Sequence, residues 1–178
     1  AVRMFWSRKP QDTEIKVFEV REARATVFIE APPQKVWDCV SDISSYDKWV
    51  RWFRVIVPEA AALEKRGDYF DYETSILGVK FTGRLVALDR IAPQRSAYAL
   101  LSAYRAGVEY LFEPMLSGTR VHYTIWSEIP SSYMGKVIDQ VLLANRVQEQ
   151  MQEHLNRLKA FVEGTPLPDL VTTGALSL

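Results

Sequence analysis

Apolar and polar residues alternate along most of the first 130 positions of this chain. In residues 22–30, Ala25, Val27 and Ile29 alternate with polar residues except at Phe28, and this period of two is typical of a half-buried β-strand. Because the connections that follow are short and marked by glycine or proline, the pattern predicts an antiparallel meander with one inner and one wetter face. Six further segments keep mainly this period: 53–60, 67–76, 79–90, 95–103, 106–115 and 118–129.

The alternation is interrupted between the strand at 22–30 and the segment at 53–60. Pro32 and Pro33 cannot donate to a sheet, but they suit the first turn of a helix. Val36 and Trp37 then share one side of a short helix, and turn-forming residues separate it from a second fragment at 46–49. The interruption therefore predicts two short helices after the first strand.

A helical period replaces the alternation at residues 133–163. The spacing gives a stripe that is apolar apart from Gln148, which predicts one long amphipathic helix packed on the sheet. Gly164 suits the end of this helix, and Pro166 and Pro168 prevent its continuation. The stripe contains Val137, Val141, Ala144, Gln148, Met151, Leu155, Leu158 and Val162, and the opposite side carries Arg146, Glu149, Glu153 and Arg157.

Gln148 is the polar residue inside this stripe, where a buried amide without a partner would cost about 1–3 kcal/mol. Its partner is therefore either structural or a polar group of a ligand. A structural partner would be a strand carbonyl, a tyrosine hydroxyl or a buried water. Both alternatives stay open from the sequence.

The order of strand, two short helices, six-stranded meander and long final helix resembles the helix-grip fold of the START-like, or SRPBCC, superfamily. The residues that carry the resemblance are IEAPPQKVWDCVSD at 29–42, Trp49, GTRVHYTI at 118–125 and the final helix. The resemblance implies an α+β fold in which a curved antiparallel seven-stranded sheet wraps around a long C-terminal helix. The superfamily includes polyketide cyclases and aromatases, coenzyme Q-binding proteins, lipid-transfer domains and pollen-allergen-like proteins.

The resemblance covers roughly residues 20–163 and implies a single domain. We expect a helix-grip domain over residues 20–164. An N-terminal extension at 1–19 and a loose C-terminal tail at 165–178 would lie outside it.

The resemblance also implies an elongated apolar cavity between the sheet and the long helix. The predicted inner faces are rich in aromatic residues with polar tips, which suits a hydrophobic ligand that carries rings or oxygens. The alternative is that each tyrosine is a core residue whose hydroxyl finds a partner at the edge of the sheet. The candidate ligand-binding residues are Tyr72, Phe81, Tyr98, Tyr110, Phe112, Tyr123, Gln148 and Met151.

The composition is that of an ordinary globular protein, with 48% hydrophobic and 25% charged residues among 178. The 22 basic residues balance the 22 acidic residues, so no long-range positive field would attract nucleic acid. The single cysteine, Cys39, permits no internal disulfide, and no apolar run approaches the ~20 residues of a membrane span. We therefore expect a soluble cytoplasmic protein that binds no nucleic acid.

Metal and nucleophilic chemistry have little support in the sequence. Cys39, His122 and His154 share no close spacing, whereas a zinc site needs three or four ligands, so neither a metal nor a cofactor is predicted. Alternation with Val121 and Tyr123 turns His122 outward, and His154 falls at the edge of the helical stripe. The chain contains no G-x-S-x-G elbow, P-loop or G-x-G-x-x-G motif.

Acid/base chemistry is harder to exclude, since a tyrosine or a carboxylate in a dry pocket can direct an aldol cyclisation. The nearest carboxylates, Asp71, Glu73 and Glu109, alternate with the aromatic residues beside them and are expected on the solvated face.

Two functions remain open. The favoured one is binding or transport of a hydrophobic small molecule, such as a lipid, quinone or polyketide-like compound. The alternative is a polyketide cyclase or aromatase that acts on a cavity-bound substrate.

Basic and aromatic residues interleave in KWVRWFR, residues 48–54. Such a mixture can lie on an anionic lipid surface or bind single-stranded nucleic acid. On the lipid interpretation, Lys48, Arg51, Trp52 and Arg54 would form a membrane-facing entrance to the cavity. The alternative is that Trp49 and Phe53 pack inward while the basic residues are solvated.

Ile138 and Leu142 point away from the helical stripe in the predicted helix. Loops that cover them, the rim of the cavity entrance or a dimer contact would each explain two such residues. A monomer and a homodimer therefore both remain open.

Overall fold

The computed structural model describes residues 18–56, 63–76, 79–102, 105–130 and 140–168. Within these ranges seven strands form one antiparallel sheet, as the alternation predicts. The first strand begins at Phe18 rather than at residue 22, and residues 57–60 of the second predicted segment lie outside the description. The strands are β1 (Phe18–Ile29), β2 (Phe53–Val55), β3 (Tyr69–Ile76), β4 (Val79–Ile91), β5 (Arg95–Leu101), β6 (Arg105–Met115) and β7 (Gly118–Pro130).

The strands pair in the order β1-β7-β6-β5-β4-β3-β2, which confirms the predicted meander. Strand β1 forms the edge of the sheet opposite β2 and pairs with the last strand, β7. The pairing runs from Phe18 opposite Pro130 to Ile29 opposite Thr119. The registers keep the apolar residues of neighbouring strands on one face, and the sheet curls around that face. Its buried aromatic side chains are Phe53, Phe70, Tyr72, Tyr98, Tyr110, Phe112 and Tyr123.

Two short helices follow β1, as the double proline predicts. They are α1 (Pro33–Ser41) and α2 (Tyr46–Trp49), with a 3₁₀ turn at Ile43–Ser45 between them. Pro33 occupies the first turn of α1, where its missing N–H costs no helical hydrogen bond. The Asp42 side chain accepts a 3.1 Å hydrogen bond from the Ser44 backbone N–H and so starts the 3₁₀ turn. The corner carries Trp37 and Trp49 into the core.

The long helix α3 (Gln140–Glu163) packs on β1 and on both short helices. Its buried stripe includes Met151, Leu155, Leu158 and Val162, as predicted. Gly164, with φ at +71°, ends the helix in the left-handed conformation that glycine tolerates. Residues 133–139 of the predicted helix, Ile138 among them, lie outside the described residues, as do the side chains of residues 140–144, Leu142 among them.

Arg157 is buried, which corrects its assignment to the solvated side of the helix. Its guanidinium donates to the carbonyl oxygens of Trp49 at 2.8 Å, Lys48 at 3.3 Å and Pro168 at 3.2 Å. The first two carbonyls belong to the C-terminal end of α2, where helical carbonyls lack internal partners. Because α3 contacts α2 as well as the sheet, its buried arc is wider than the apolar stripe.

The first residues of the predicted tail lie against the end of α3. The backbone N–H of Thr165 donates to the carbonyl of Ala160 at 2.9 Å, and Leu167 packs against the core. Residues 169–178 lie outside the described part of the chain. Among the described helices, none is long and apolar enough to cross a membrane.

Candidate functional site

Polar aromatic side chains meet between the sheet and α3. Tyr110 of β6 and His154 of α3 are joined by a 2.5 Å hydrogen bond between the hydroxyl and Nε2. The imidazole centroid lies 5.2 Å from the Tyr123 ring and 5.1 Å from the Trp49 ring. Each of these residues is at most 6% exposed. We call Trp49, Tyr110, Tyr123 and His154 the buried polar cluster.

Burial determines the protonation of this cluster. It lowers the pKa of His154 to about 3, and the nearby charge of Arg157 acts in the same direction. Burial also raises the pKa of the Tyr110 hydroxyl well above its usual value and raises that of Tyr123. All three groups are therefore uncharged near neutral pH, so the cluster offers hydrogen bonds and no charge.

The position of His154 corrects the prediction that it lies at the edge of the helical stripe. It follows Met151 by three positions and precedes Leu158 by four, and both of these neighbours are buried. Such spacing places all three side chains on one helix face, so the sequence does contain a signal for an inward histidine. His122 lies on the outer face, as predicted, and its Nε2 is 2.9 Å from the Glu113 carboxylate.

A cleft of about 370 Å³ opens beside α1. Its walls combine apolar side chains with one arginine and several carboxylates. A volume of this size suits a small ligand or one part of a larger one. The lining residues are Trp37, Asp38, Ser41, Asp42, Leu63, Glu64, Arg90 and Ala92.

Arg90 connects this cleft with the aromatic interior. Its guanidinium donates to the hydroxyls of Tyr98 at 2.7 Å and Ser96 at 3.2 Å, and also to that of Ser41. The same group lies 4.4 Å from the centroid of the Trp37 ring, in the geometry of a cation–π contact. The Tyr98 ring in turn lies 6.4 Å from that of Tyr110.

A β-bulge in β4 explains why the alternation does not reveal Arg90. The register with β5 shifts between Ala87 and Asp89, so that Leu88 is an extra residue. Strict alternation would put Arg90 on the outer face with Leu88, whereas the shift pairs it with the fully buried Ser96. Bulges commonly re-aim a side chain in this way.

The structure brings most of the predicted ligand-binding residues into one interior. The ring of Tyr110 lies 4.6 Å from that of Tyr123 and 6.1 Å from that of Phe112. The buried members of the predicted set are Tyr72, Tyr98, Tyr110, Phe112, Tyr123 and Met151, and Phe81 is half-buried on β4.

Gln148 is exposed, so the expectation of a buried amide in the helical stripe is wrong. Its side-chain nitrogen donates to the carbonyl oxygen of Arg24 at 2.9 Å, which is the strand-carbonyl alternative. Residues 145–150 are exposed or half-buried, and burial begins at Met151. The helix therefore reaches the core only after it has passed Gln148.

The three carboxylates nearest in sequence to the aromatic residues, Asp71, Glu73 and Glu109, belong to the outer face of the sheet. Each of them forms an ion pair with an arginine, as residues of a solvated face do. Among the residues that the structure describes, the acid/base groups that line the interior are therefore the tyrosines and His154. Within the described ranges, no three His, Cys, Asp or Glu side chains are placed to hold a metal ion. The ion pairs join Asp71 with Arg84, Glu73 with Arg54 and Glu109 with Arg95.

Comparison with protein families identifies this arrangement. Residues 21–163 match the family described as polyketide cyclase / dehydrase and lipid transport. The chain belongs to this family. The resemblance to SRPBCC proteins is thereby confirmed, and the family description covers chemistry and transport of hydrophobic small molecules. No curated protein matches the sequence.

Solved structures support the fold of this family member at low sequence identity. Protein CV1439 of Chromobacterium violaceum is 20% identical, with a TM-score of 0.61, over 83% of this chain and 99% of that one. Protein Ms6760 of Mycobacterium smegmatis is 18% identical, with a TM-score of 0.61, over 83% of this chain and 98% of that protein. The di-domain ARO/CYC StfQ of the steffimycin biosynthetic pathway is 14% identical, with a TM-score of 0.66, over 82% of this chain and 51% of StfQ.

The basic and aromatic segment of this family member lies next to the buried polar cluster. Lys48, Arg51 and Arg54 are exposed, whereas the Trp49 and Phe53 side chains are buried. Trp52 is half-buried, and its ring packs against Phe53, Tyr72 and His154 at centroid distances of 4.3, 6.3 and 6.3 Å. The segment therefore presents its charges, rather than its largest rings, to the solvent.

Proposed function

We propose that this member of the polyketide cyclase / dehydrase and lipid transport family binds or carries a hydrophobic small molecule, such as a lipid, a quinone or a polyketide-like compound. The observation that carries the proposal is that Arg90 lines the cleft and donates to the hydroxyl of Tyr98, a residue of the aromatic interior. The apolar side chains of Trp37, Leu63 and Ala92 give the cleft surface for a hydrocarbon body. Hydroxyls and a guanidinium beside them would orient its oxygens.

The protonation of the interior favours binding over proton-transfer catalysis. An efficient general acid or base has a pKa near the working pH. Burial shifts the pKa of His154 down to about 3 and shifts those of Tyr110 and Tyr123 upward, away from neutrality in each case. These groups are suited to hydrogen bonding with a neutral ligand.

A polyketide cyclase or aromatase is the second candidate function. It is supported by the family description and by the fold shared with the ARO/CYC StfQ. In such an enzyme the tyrosines and His154 would hold a polyketide chain in a folded shape, so that intramolecular condensation is favoured by proximity. Incubation with a linear poly-β-ketone analogue, followed by product analysis, distinguishes the enzyme from the carrier.

Displacement of a fluorescent hydrophobic probe, N-phenyl-1-naphthylamine, tests the binding function. The wild type should bind the probe saturably, and a lipid, quinone or aromatic polyketide should displace it. Ala92→Trp places an indole in the cleft and should weaken binding by about tenfold or more, which corresponds to ~1.4 kcal/mol. Leu111→Trp, at an exposed position of β6, is the matched control and should leave the affinity unchanged.

Two results would overturn this proposal. Absence of saturable binding by the wild type would remove the binding function. Equal affinities of the Ala92→Trp and Leu111→Trp proteins would remove the cleft from the site. Native mass spectrometry of the purified protein, with extraction of any co-purified molecule, then identifies the natural ligand.

Transient contact with membranes is the proposed route by which a lipid-like ligand loads. Lys48, Arg51 and Arg54 are exposed on one segment, and each would contribute about 1 kcal/mol when held near an anionic surface. Arg54 also pairs with Glu73 at 3.3 Å, which reduces the charge it offers. The half-buried Trp52 would approach the interface only at its edge.

A further inference from the structure

Three polar atoms of the buried polar cluster form no hydrogen bond of normal geometry among the described residues: Trp49 Nε1, Tyr123 Oη and His154 Nδ1. The Tyr123 hydroxyl lies close enough to the Tyr110 hydroxyl for that group to lower its pKa, but the Tyr110 hydroxyl is already bonded to His154. The three atoms belong to neighbouring rings, since the Trp49 and Tyr123 centroids lie 5.1 and 5.2 Å from the imidazole. Buried polar groups in native proteins normally have a partner, because desolvation without one is costly. Three such atoms around one imidazole indicate a place that receives a polar group from outside the chain.

The chemistry of these atoms limits that group to one that can accept a hydrogen bond. An indole N–H only donates, whereas a tyrosine hydroxyl both donates and accepts. Nε2 of His154 is occupied by the Tyr110 hydroxyl, so Nδ1 donates in one tautomer and accepts in the other. A carbonyl or hydroxyl oxygen can satisfy these atoms, whereas an ammonium group cannot accept from the indole.

The surroundings also exclude a charged group. His154 is neutral near pH 7 because burial lowers its pKa to about 3, so it cannot neutralise an anion. Arg157 is the cation whose charge acts on the imidazole, and three of its nitrogens already donate to backbone carbonyls. Arg90, whose Nε also lacks a partner in the described part of the chain, donates to Tyr98 and lines the neighbouring cleft rather than bonding to a member of this cluster. A carboxylate placed here would lose its hydration without gaining a free counter-ion.

We propose that the buried polar cluster receives an uncharged oxygen of the ligand, a ketone, phenol or alcohol. The protein would then select neutral oxygenated hydrophobic molecules over hydrocarbons and over anions of the same shape. This inference rests on the proposed binding function and adds the ligand class to it. Entry of the ligand requires the tyrosine rings and the flexible Met151 side chain to repack, and such rotamer changes are common on binding.

Three aromatic probes of one ring system test the inference: naphthalene, 2-naphthol and 2-naphthoate. Equilibrium dialysis at pH 7 gives the affinity of each. We expect 2-naphthol to bind about tenfold more tightly than naphthalene, which is the effect of one added hydrogen bond. We expect 2-naphthoate to bind more weakly than either.

Tyr123→Phe should reduce the preference for 2-naphthol over naphthalene, because one of the three groups that bond the ligand oxygen is lost. The fold should be retained, because the hydroxyl that is lost forms no hydrogen bond of normal geometry among the described residues and the Tyr110 hydroxyl beside it keeps its bond to His154. Tyr69→Phe is the matched control, since this tyrosine is 49% exposed. It should keep the preference of the wild type.

The possible failures are distinguishable. Equal binding of the three probes, or tightest binding of 2-naphthoate, would overturn the inference while leaving the proposed binding function intact. A Tyr123→Phe protein that keeps the full preference for 2-naphthol would also overturn it. Saturable binding of none of the probes would overturn the proposed function and this inference with it.

Discussion

Acidification should destabilise the fold through His154. Burial holds the pKa of its imidazole at about 3 in the folded protein, whereas that of an unfolded chain is about 6.5. Between these values the unfolded chain binds a proton that the folded chain excludes. The contribution of His154 to stability is therefore complete above pH 6.5 and is lost as the pH falls toward 3.

The size of this effect follows from the two pKa values. At pH 7 most imidazoles of the unfolded chain are neutral, and at pH 5 almost all are protonated, while His154 of the folded protein stays neutral at both. Linkage then gives a loss of about 2 kcal/mol in the free energy of unfolding between pH 7 and pH 5. This is a large part of the ~5–15 kcal/mol of a typical domain.

Urea unfolding at pH 7 and pH 5 measures the effect in the wild type and in His154→Gln. Glutamine can still bond the Tyr110 hydroxyl, but it cannot titrate. The variant should therefore lose about 2 kcal/mol less than the wild type over the same pH interval. His122→Gln is the matched control, because the chain has 2 histidines and this one lies on the outer face with 40% of its side chain exposed.

The difference in pH dependence between the wild type and His154→Gln separates the contribution of the imidazole from that of the carboxylates. The pKa values of Asp68, Asp71, Glu113 and Glu163 are also lowered in the folded protein, so acid destabilises the fold through them as well. They are present in both the wild type and His154→Gln, so their contribution cancels in the difference. A His154→Gln protein with the full pH dependence of the wild type would refute the reasoning.

Two further predictions concern charges near α2. Arg157→Met should lower the free energy of unfolding by about 3 kcal/mol, because it leaves the buried carbonyl of Trp49 and two partly buried carbonyls without a donor. The exposed Arg146→Met should change it by less than ~0.5 kcal/mol. Equal losses in urea unfolding would contradict this. The wild type should sediment with anionic vesicles at low salt, detach once the Debye length falls below about 10 Å, and bind poorly after Lys48, Arg51 and Arg54 are changed to serine. Equal partitioning onto neutral vesicles, or none onto either kind, would exclude membrane loading.

The sequence by itself determines the order and type of the elements, because strand and helix periods are local properties of the backbone. The alternation of Ala25, Val27 and Ile29 requires only that one face of a strand be buried. Pro33 at the start of α1 and Gly164 after α3 act through their own backbone preferences. The seven strands and the long helix therefore follow from the pattern of the chain.

The tertiary structure alone decides which polar side chains enter the interior. Arg90 turns inward at a bulge whose extra residue, Leu88, carries no mark in the local pattern. Arg157 enters because the carbonyls at the end of α2 need donors, and Gln148 stays outside because α3 reaches the core only at Met151. The burial of a polar group depends on strand register and on partners far away in the chain, and a local period contains neither.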